Sequence, residues 1–521
     1  MRDEDVPVVE RVVRRVADSA PEGWARATFS GWAGRLSSSC SLTYDMSGGQ
    51  TRSAKAFGVA EGVLDELWAS AEQAQGWELL TLELVCEPSG AYSLTAFNER
   101  VWRGFGKEYC AVLDPGYLPA EPGHLQEGPL DTAPAGDPET AAGRFREYLR
   151  RRAELGVRDE LGDPAADIGE AERRLGRPLP CDLRALYEIA DGERGLAGLF
   201  DGYEWLPLDE VVREHARQRE RAWGGWELGW DAVVLDAHPV ETVRRCSGHD
   251  GWIPFAHDGG GHYLAVDMSP APKGRAGQVI RIGRDYERGP AYEADSVTAL
   301  LGRYLRLLDE GEYDVDDEDG WLELGVERAP EPPTSGVLES LPDATALEPS
   351  WQELTVNDAR RTDLAVLRAT PRLRALALNR VTAADLGPLR DLPLEDAALG
   401  LDEGGDLGAL AAHPTLRTLS VTGGGPVHIA ALRTLPRLYG LDLSRTEIAD
   451  PGVLAGMGQL RFLSLGPGQW DAMFRDGTLP PALAAARLAG EASLAEAIDW
   501  AARLGLDVST AWRRSGRSIT T

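Results

Sequence analysis

Lysine is almost absent from this chain. Only Lys55, Lys107 and Lys273 occur among its 54 basic residues, and the remainder are arginine. Acidic residues number 84, so the formal charge is −30. Contacts to phosphate need clustered cations on one face, so direct nucleic-acid binding is not expected. The acidic balance favours solubility and the steering of basic partners. Cysteine is also scarce. Cys40, Cys86, Cys110, Cys181 and Cys246 are odd in number and far apart, which reads as reduced thiols of a cytoplasmic protein rather than a disulfide framework. No apolar run reaches 18 residues, so no membrane-spanning helix or membrane partner is expected. The start, Met1-Arg2-Asp3-Glu4-Asp5, is acidic with no apolar stretch behind it, unlike a signal peptide.

Catalytic signatures are missing as well. There is no G-x-S-x-G, no H-E-x-x-H and no kinase-like set. Cys246, His249, His257 and His262 are spaced C-x2-H-x7-H-x4-H, which matches no standard zinc site. Gly259-Gly260-Gly261 lacks the Gly-Lys-Ser/Thr of a phosphate loop. The acidic stretch Asp314 to Asp319 lacks the ligand order of a calcium loop. Arg150-Arg151-Arg152 is flanked by Glu147 and Glu154 and reads as a charged helix face. No catalytic residue, cofactor or metal is therefore expected. An enzyme site would have to lie in the unrecognised amino-terminal region, as a deep pocket with perturbed titratable groups.

What is present falls into a multidomain α and β arrangement. The length of 521 residues suggests roughly three or four domains. Residues 1–120 form the first region. The stripe Val8, Val9, Val12, Val13, Val16 predicts a helix, and Val63, Leu64 and Leu67 mark a second. The runs 79–85 and 91–97 flank Glu87-Pro88-Ser89-Gly90 as a hairpin. This α+β pattern, with Trp77 before the hairpin, resembles small bacterial immunity-type domains. Residues 121–139 are rich in Pro, Gly, Ala and acids and read as a linker. A further domain spans 140–328, and a Pro-rich linker spans 329–336.

The middle region is the most specific. Glu172, Leu175 and Gly176 end an amphipathic helix. Leu179 and Pro180 lead into another, which carries Leu183, Leu186 and Tyr187 and stops at Asp191-Gly192, since glycine accepts the left-handed conformation that ends helices. Further on come Trp252-Ile253-Pro254, then Asp267, Pro272-x-Gly274 and Gly277-Gln278-Val279, then a closing helix from Val297 to Leu308. In order and spacing these motifs resemble the SUKH superfamily, the Smi/Knr type, over roughly residues 160–310. The resemblance implies a mixed α+β binding domain without catalytic residues, in which the motif positions are mainly structural. Bacterial members are associated with immunity against polymorphic toxins, many of them nucleases, and fungal members with regulation of cell-wall synthesis and signalling. The chain departs from the pattern in an insertion bearing Trp223, Trp226 and Trp230, candidates for a partner surface.

Residues 337–480 repeat. The pattern L-x-x-L-x-L recurs at Trp351/Leu354/Val356, Leu373/Leu376/Leu378, Leu394/Ala397/Leu399, Leu416/Leu419/Val421, Leu438/Leu441/Leu443 and Leu460/Leu463/Leu465, in steps of 22, 21, 22, 22 and 22 residues. That period is the one of leucine-rich repeats, whose stacking buries a continuous core. The region resembles bacterial repeats of the short class and implies an α/β solenoid. Asp363, Asp385, Asp406 and Asp450 precede the second apolar pair of four units, where an acid is expected to cap a short helix on the convex side. Between the strand leucines lie Glu353, Thr355, Ala375, Ala377, Thr418, Ser420, Gly440, Asp442, Phe462 and Ser464. This mostly small, neutral concave face suits another protein or a neighbouring domain, and Thr418, Ser420, Asp442, Phe462 and Ser464 are its candidate partner-binding residues. Residues 481–521 are expected to form a helical cap and tail.

The resemblances together imply a non-enzymatic binding protein. The first expectation is an immunity protein that neutralises a toxin domain, such as a basic nuclease. The alternative is a regulatory scaffold in cell-wall or signalling control, with the repeats as its recognition surface.

Overall fold

The computed structural model describes residues 5–518, except 36, 105–107, 196–197, 220–232, 287, 316–320, 326–331, 342–343 and 361–362. Among the described residues, no helix is long and apolar enough to cross a membrane.

The amino-terminal region is an antiparallel sheet under helices. Val6–Asp18 buries Val9, Val12, Val13 and Val16, and Val63–Gln75 buries Val63, Leu64, Leu67 and Ala71. The sheet runs in the order Trp512–Arg517, Ala91–Asn98, Leu79–Cys86, Trp24–Gly34, Ser38–Met46, Thr51–Ala54. Its first strand comes from the far end of the chain. The expected helical cap and tail is therefore corrected. The helix Leu494–Arg503 is present, but it follows the strand Ala485–Leu488 and precedes a strand that pairs with Ala91–Asn98 from Trp512 opposite Ala96 to Arg517 opposite Ala91. That edge strand would otherwise present unpaired backbone groups, a liability that the carboxy-terminal strand removes.

The middle region is a five-stranded antiparallel sheet, Ala291–Ala294, Gln278–Gly283, His262–Asp267, Trp252–His257, Glu204–Trp205. The helices Pro138–Glu154, Cys181–Tyr187 and Val297–Glu310 pack together beside it. Trp205 sits at the centre, fully buried, 5.3 Å from the Phe145 ring and 4.9 Å from the Tyr187 ring. Of the arginine triplet, Arg150 pairs with Glu147 and Glu154 on the surface. Arg152, however, is buried and held by Asp159 at 2.8 Å, so that face is only partly solvated.

The repeats stack as a parallel ladder. Glu353–Val356, Ala375–Val381, Asp396–Leu401, Thr418–His428, Gly440–Ile448, Phe462–Leu465 and Ala485–Leu488 are consecutive neighbours. Their register aligns Leu354 with Leu376, Leu376 with Ala397, Ala397 with Leu419, Leu419 with Leu441 and Leu441 with Leu463. The connecting turns are short 3-10 helices. Asp363 and Asp406 cap theirs by accepting from Ala365 and Gly408. Asp450 instead accepts from Ile429 of the preceding unit, and Asp385 lies inside its own turn. The ladder ends on Tyr109–Val112, antiparallel to Ala485–Leu488. Tyr109–Val112 belongs to the amino-terminal region, and the two regions share one hydrophobic core.

Candidate protein-interaction site

The two halves of the middle-region motif meet in space and hold the domain's turns. The Glu172 carboxylate accepts from the Leu179 amide at 3.1 Å and from Arg184 at 2.8 Å. Leu175, Leu179, Leu186 and Tyr187 are buried, and Tyr187 donates to the Leu206 carbonyl at 2.8 Å. Gly176 closes its helix in the left-handed conformation, and Pro180 caps the next helix. Asp191 accepts from the Leu208 amide at 2.9 Å. At Gly192, φ is +76° and a Cβ would stand 2.5 Å from the Pro207 nitrogen, so only glycine fits. Gly277 donates to Asp267 at 2.8 Å and lies against Pro180, and Gly274 donates to Ala271. None of these residues forms a reactive constellation.

Asp267 and Gln278 are the most unusual of the set. Asp267 is fully buried and accepts from Ser269 and from the Gln278 amide at 2.8 and 2.9 Å. Gln278 also donates to the Thr242 carbonyl. Burial pushes the Asp267 carboxyl up to about 7, against the lowering effect of those hydrogen bonds. A carboxyl raised in the folded state stabilises the fold fully below its unfolded value, near 4, and that contribution is lost as pH rises to about 7. Denaturation of the wild type and of Asp267→Asn between pH 4 and 7 is expected to show the difference. The wild type should lose stability relative to the variant by up to about 1.4 kcal/mol per pH unit in that window, and parallel pH profiles would contradict the assignment.

Next to this domain, the residues that lead into the repeat strands make a second set of contacts. The residue before each strand is long and polar in most units: Gln352, Arg374, Glu395, Arg417, Tyr439, Arg461. This column grips the rest of the chain. Gln352 exchanges two hydrogen bonds with the Asp236 backbone, at 2.8 and 3.0 Å. Arg374 reaches the Asp236 carboxylate at 2.8 Å and Glu395 at 3.3 Å, and Arg245 reaches Glu395 at 2.7 Å and Asp236 at 3.6 Å. Glu353 pairs with Arg288. Burial pushes the Asp236 carboxyl up, but Arg374, Arg245 and Arg372 push it down by more, so its value lies below the usual range. Arg417 donates to the Ala120 carbonyl at 2.6 Å, and Arg461 lies over the Tyr117 ring.

This arrangement revises the candidate partner residues. Thr418, Phe462 and Ser464 are at most 1% exposed and have no surface to offer. Phe462 packs with Cys110, Tyr439, Ala484 and Ala485, against Trp102 and Tyr117. The chain itself covers that side of the concave face. Thr355, Ala377, Ala398, Ser420 and Asp442 are half-exposed, and Asn379 is exposed, so an adjoining stripe stays open. Trp223, Trp226 and Trp230 lie outside the described residues. The signal for the docking column was present in the sequence as a bulky polar residue repeated at one position of the period. Its partners, Asp236 and Arg245, carry no such signal among so many charges.

The region 121–139, expected as a linker, lies against the middle domain. Leu130 and Ala135 donate backbone hydrogen bonds to Pro272 and Ala276, and the helix Pro138–Glu154 already starts inside it. Lacking a core of its own, this stretch satisfies its backbone on a neighbour's loop.

A cavity of about 680 Å³ lies in the amino-terminal region, between its sheet and the paired strands Val101–Arg103 and Tyr109–Val112, lined by Trp32, Trp102, Tyr109, Cys40, Arg100 and Arg103. Its two arginines are engaged. Arg100 donates to the carbonyls of Val112 and Leu113, and Arg103 to Ser30. Burial pushes the Cys40 thiol up, the opposite of an activated nucleophile. The lining suits binding of an apolar group more than catalysis.

Comparison with known proteins identifies the middle region. Residues 164–303 match the SMI1 / KNR4 family (SUKH-1) and form such a domain. A glucan synthesis regulatory protein of Neurospora crassa is 29% identical over 208 residues, covering 32% of this chain and 37% of that protein. The cell wall biosynthesis/cell cycle regulator smi1 of Schizosaccharomyces pombe is 31% identical over 173 residues, covering 31% and 34%. The cell wall assembly regulator SMI1 of Saccharomyces cerevisiae is 26% identical over 197 residues, covering 31% and 39%. The chain thus spans under two-fifths of the length of these relatives. Among solved structures, an internalin of Listeria monocytogenes aligns at 24% identity over 22% of this chain and 35% of that chain, with a TM-score of 0.19, too slight a likeness to argue from. The expected immunity role finds no support among these relatives, whose names describe cell-wall regulators.

Proposed function

We propose that this chain is a non-enzymatic regulatory scaffold of the kind that acts in cell-wall or signalling control. Its SMI1/KNR4 domain and its leucine-rich repeats would present two recognition surfaces in one fixed orientation. The observation that carries this reading is the buried ion network of Asp236, Arg245, Arg374 and Glu395, which clamps the domain to the repeats while leaving the stripe of Thr355, Ala377, Ala398 and Ser420 open. The names of the fungal relatives support the regulatory sense. The charge of −30 favours a basic protein partner, because opposite fields speed encounter.

The test is affinity capture from native extract with the full chain and with its Ser420→Arg, Ala398→Arg double variant. Envelope-synthesis or signalling proteins should be captured by the wild type and reduced about tenfold by the variant, the effect of losing about 1.4 kcal/mol at an interface. A toxin domain bound equally by both would overturn the scaffold in favour of immunity.

A further inference from the structure

We propose that Glu121, His124 and Cys246 form a binding site for a single zinc-like divalent ion, which pins the segment after the amino-terminal region to the SMI1/KNR4 domain. The inference is independent of the scaffold reading. One ligand atom from each residue lies within 4.8 Å of the other two. Zinc takes thiolate, imidazole and carboxylate donors at about 2.0–2.3 Å, which sets donors about 3.3–3.8 Å apart in a tetrahedron. The three donor atoms would therefore draw together by up to about 1 Å on binding.

The chain builds this site from segments far apart in sequence. Pro122–Leu125 is a single 3-10 turn, and Glu121 is the extended residue that leads into it. The ligand atoms of Glu121 and His124 from this short segment meet that of Cys246. Glu121 is oriented by the Ser247 amide and hydroxyl, which donate to its two oxygens at 3.0 and 2.6 Å, and a carboxylate retains further lone pairs for a cation. The His124 Nε2 lies 3.4 Å from the Gly248 carbonyl, an outer-shell acceptor of the kind that orients a ligating imidazole.

The two segments are locked together. Gly123 donates to the Arg245 carbonyl at 2.9 Å, and a Cβ at Gly123 would fall 2.4 Å from the Arg245 carbonyl carbon, so no larger residue permits this approach. Arg244 donates to the carbonyls of Gly123 and Gln126, and the Gln126 side chain accepts from the Arg245 amide at 2.9 Å. The His249 ring stands 6.0 Å from that of His124. His257 and His262 are directed elsewhere, to Glu204 and to Asp258 and Asp285. Of the cysteine and histidine set weighed from the sequence, only Cys246 belongs to the site, and its partners come from the segment 121–124.

The site is tested with Co²⁺ as a spectroscopic stand-in, titrated into chelator-treated full-length protein. One equivalent should produce a near-ultraviolet thiolate-to-cobalt band together with visible bands, all displaced by one equivalent of Zn²⁺. Cys246→Ser should abolish the thiolate band. His124→Ala changes an exposed side chain and should leave the circular dichroism unchanged, yet weaken cobalt affinity about tenfold or more. No thiolate band at one equivalent, a band that persists in Cys246→Ser, or wild-type affinity in a folded His124→Ala would each overturn the proposal.

Discussion

Replacing Trp512 by alanine is expected to destabilise the amino-terminal sheet by about 4 kcal/mol, the range for deleting a large buried aromatic. Trp512 is 4% exposed and lies 5.1 Å from the Trp77 ring, which in turn meets Phe97 edge-on at 6.0 Å. It anchors a strand that has little else to hold it. Arg513, Ser515 and Arg517 point to solvent, and beyond Trp512 the strand contributes mainly its backbone ladder to Ala91–Asn98. Loss of the anchor should therefore free the whole strand and expose the next one. Hydrogen exchange is the direct measure, because unfolding of a multidomain chain is not a single two-state event. Amides of Ala91–Asn98 should exchange far faster in Trp512→Ala. Arg513→Ala removes only a surface pair with Asp499 and should change little. If Trp512→Ala left the exchange of those strands unchanged, the carboxy-terminal strand would not be integral to the sheet.

That strand was also the least legible part of the sequence. Trp512-Arg513-Arg514-Ser515-Gly516-Arg517 contains no β-branched residue and one glycine, so neither propensity nor alternation marks it. Its pairing is set by an edge more than 400 residues away, which no local pattern encodes. The repeats lie at the other extreme. Leucines at a fixed step fill one core, so the register of Leu354, Leu376, Leu419, Leu441 and Leu463 follows from periodicity alone. The SMI1/KNR4 motif was legible for a related reason. Glu172, Gly176, Asp191 and Gly192 are local caps and turn formers, and their spacing states the turns they make. Contacts between charged residues distant in sequence leave no such trace. The acids that dock the domain, Asp236 and Glu395, are two among 84, and only the fold distinguishes them.

Those two acids also determine how firmly the SMI1/KNR4 domain is held. Arg245→Ala should cost about 3 kcal/mol of docking stability, because removing one cation of a buried ion network leaves Asp236 and Glu395 with less positive charge to compensate them. Arg245 is 7% exposed, and it is the domain's own cation in a cluster whose other cations, Arg372 and Arg374, come from the repeats. The Asp236 amide, bonded to the Gln352 side chain across the junction, reports on it. It should lose exchange protection in the variant, while the domain's central sheet keeps its own. Salt should scarcely affect the wild-type junction, since buried pairs are weakly screened. Acid should open it. The Asp236 carboxyl lies below its ordinary value in the folded chain, so its stabilisation is present at neutral pH and is lost as pH falls below about 4 through the folded-state value. Asp236→Asn should remove that acid dependence and weaken the junction at pH 7. An Arg245→Met, Glu395→Met pair provides the decisive contrast. Replacing both charges with apolar groups of similar length should recover much of the loss seen in Arg245→Ala, because the penalty arises from an uncompensated buried charge rather than from a missing attraction. If the pair were no better than Arg245→Ala, the junction would depend on the salt bridge itself, and the seat of the domain on the repeats would be sensitive to any change in charge at this point.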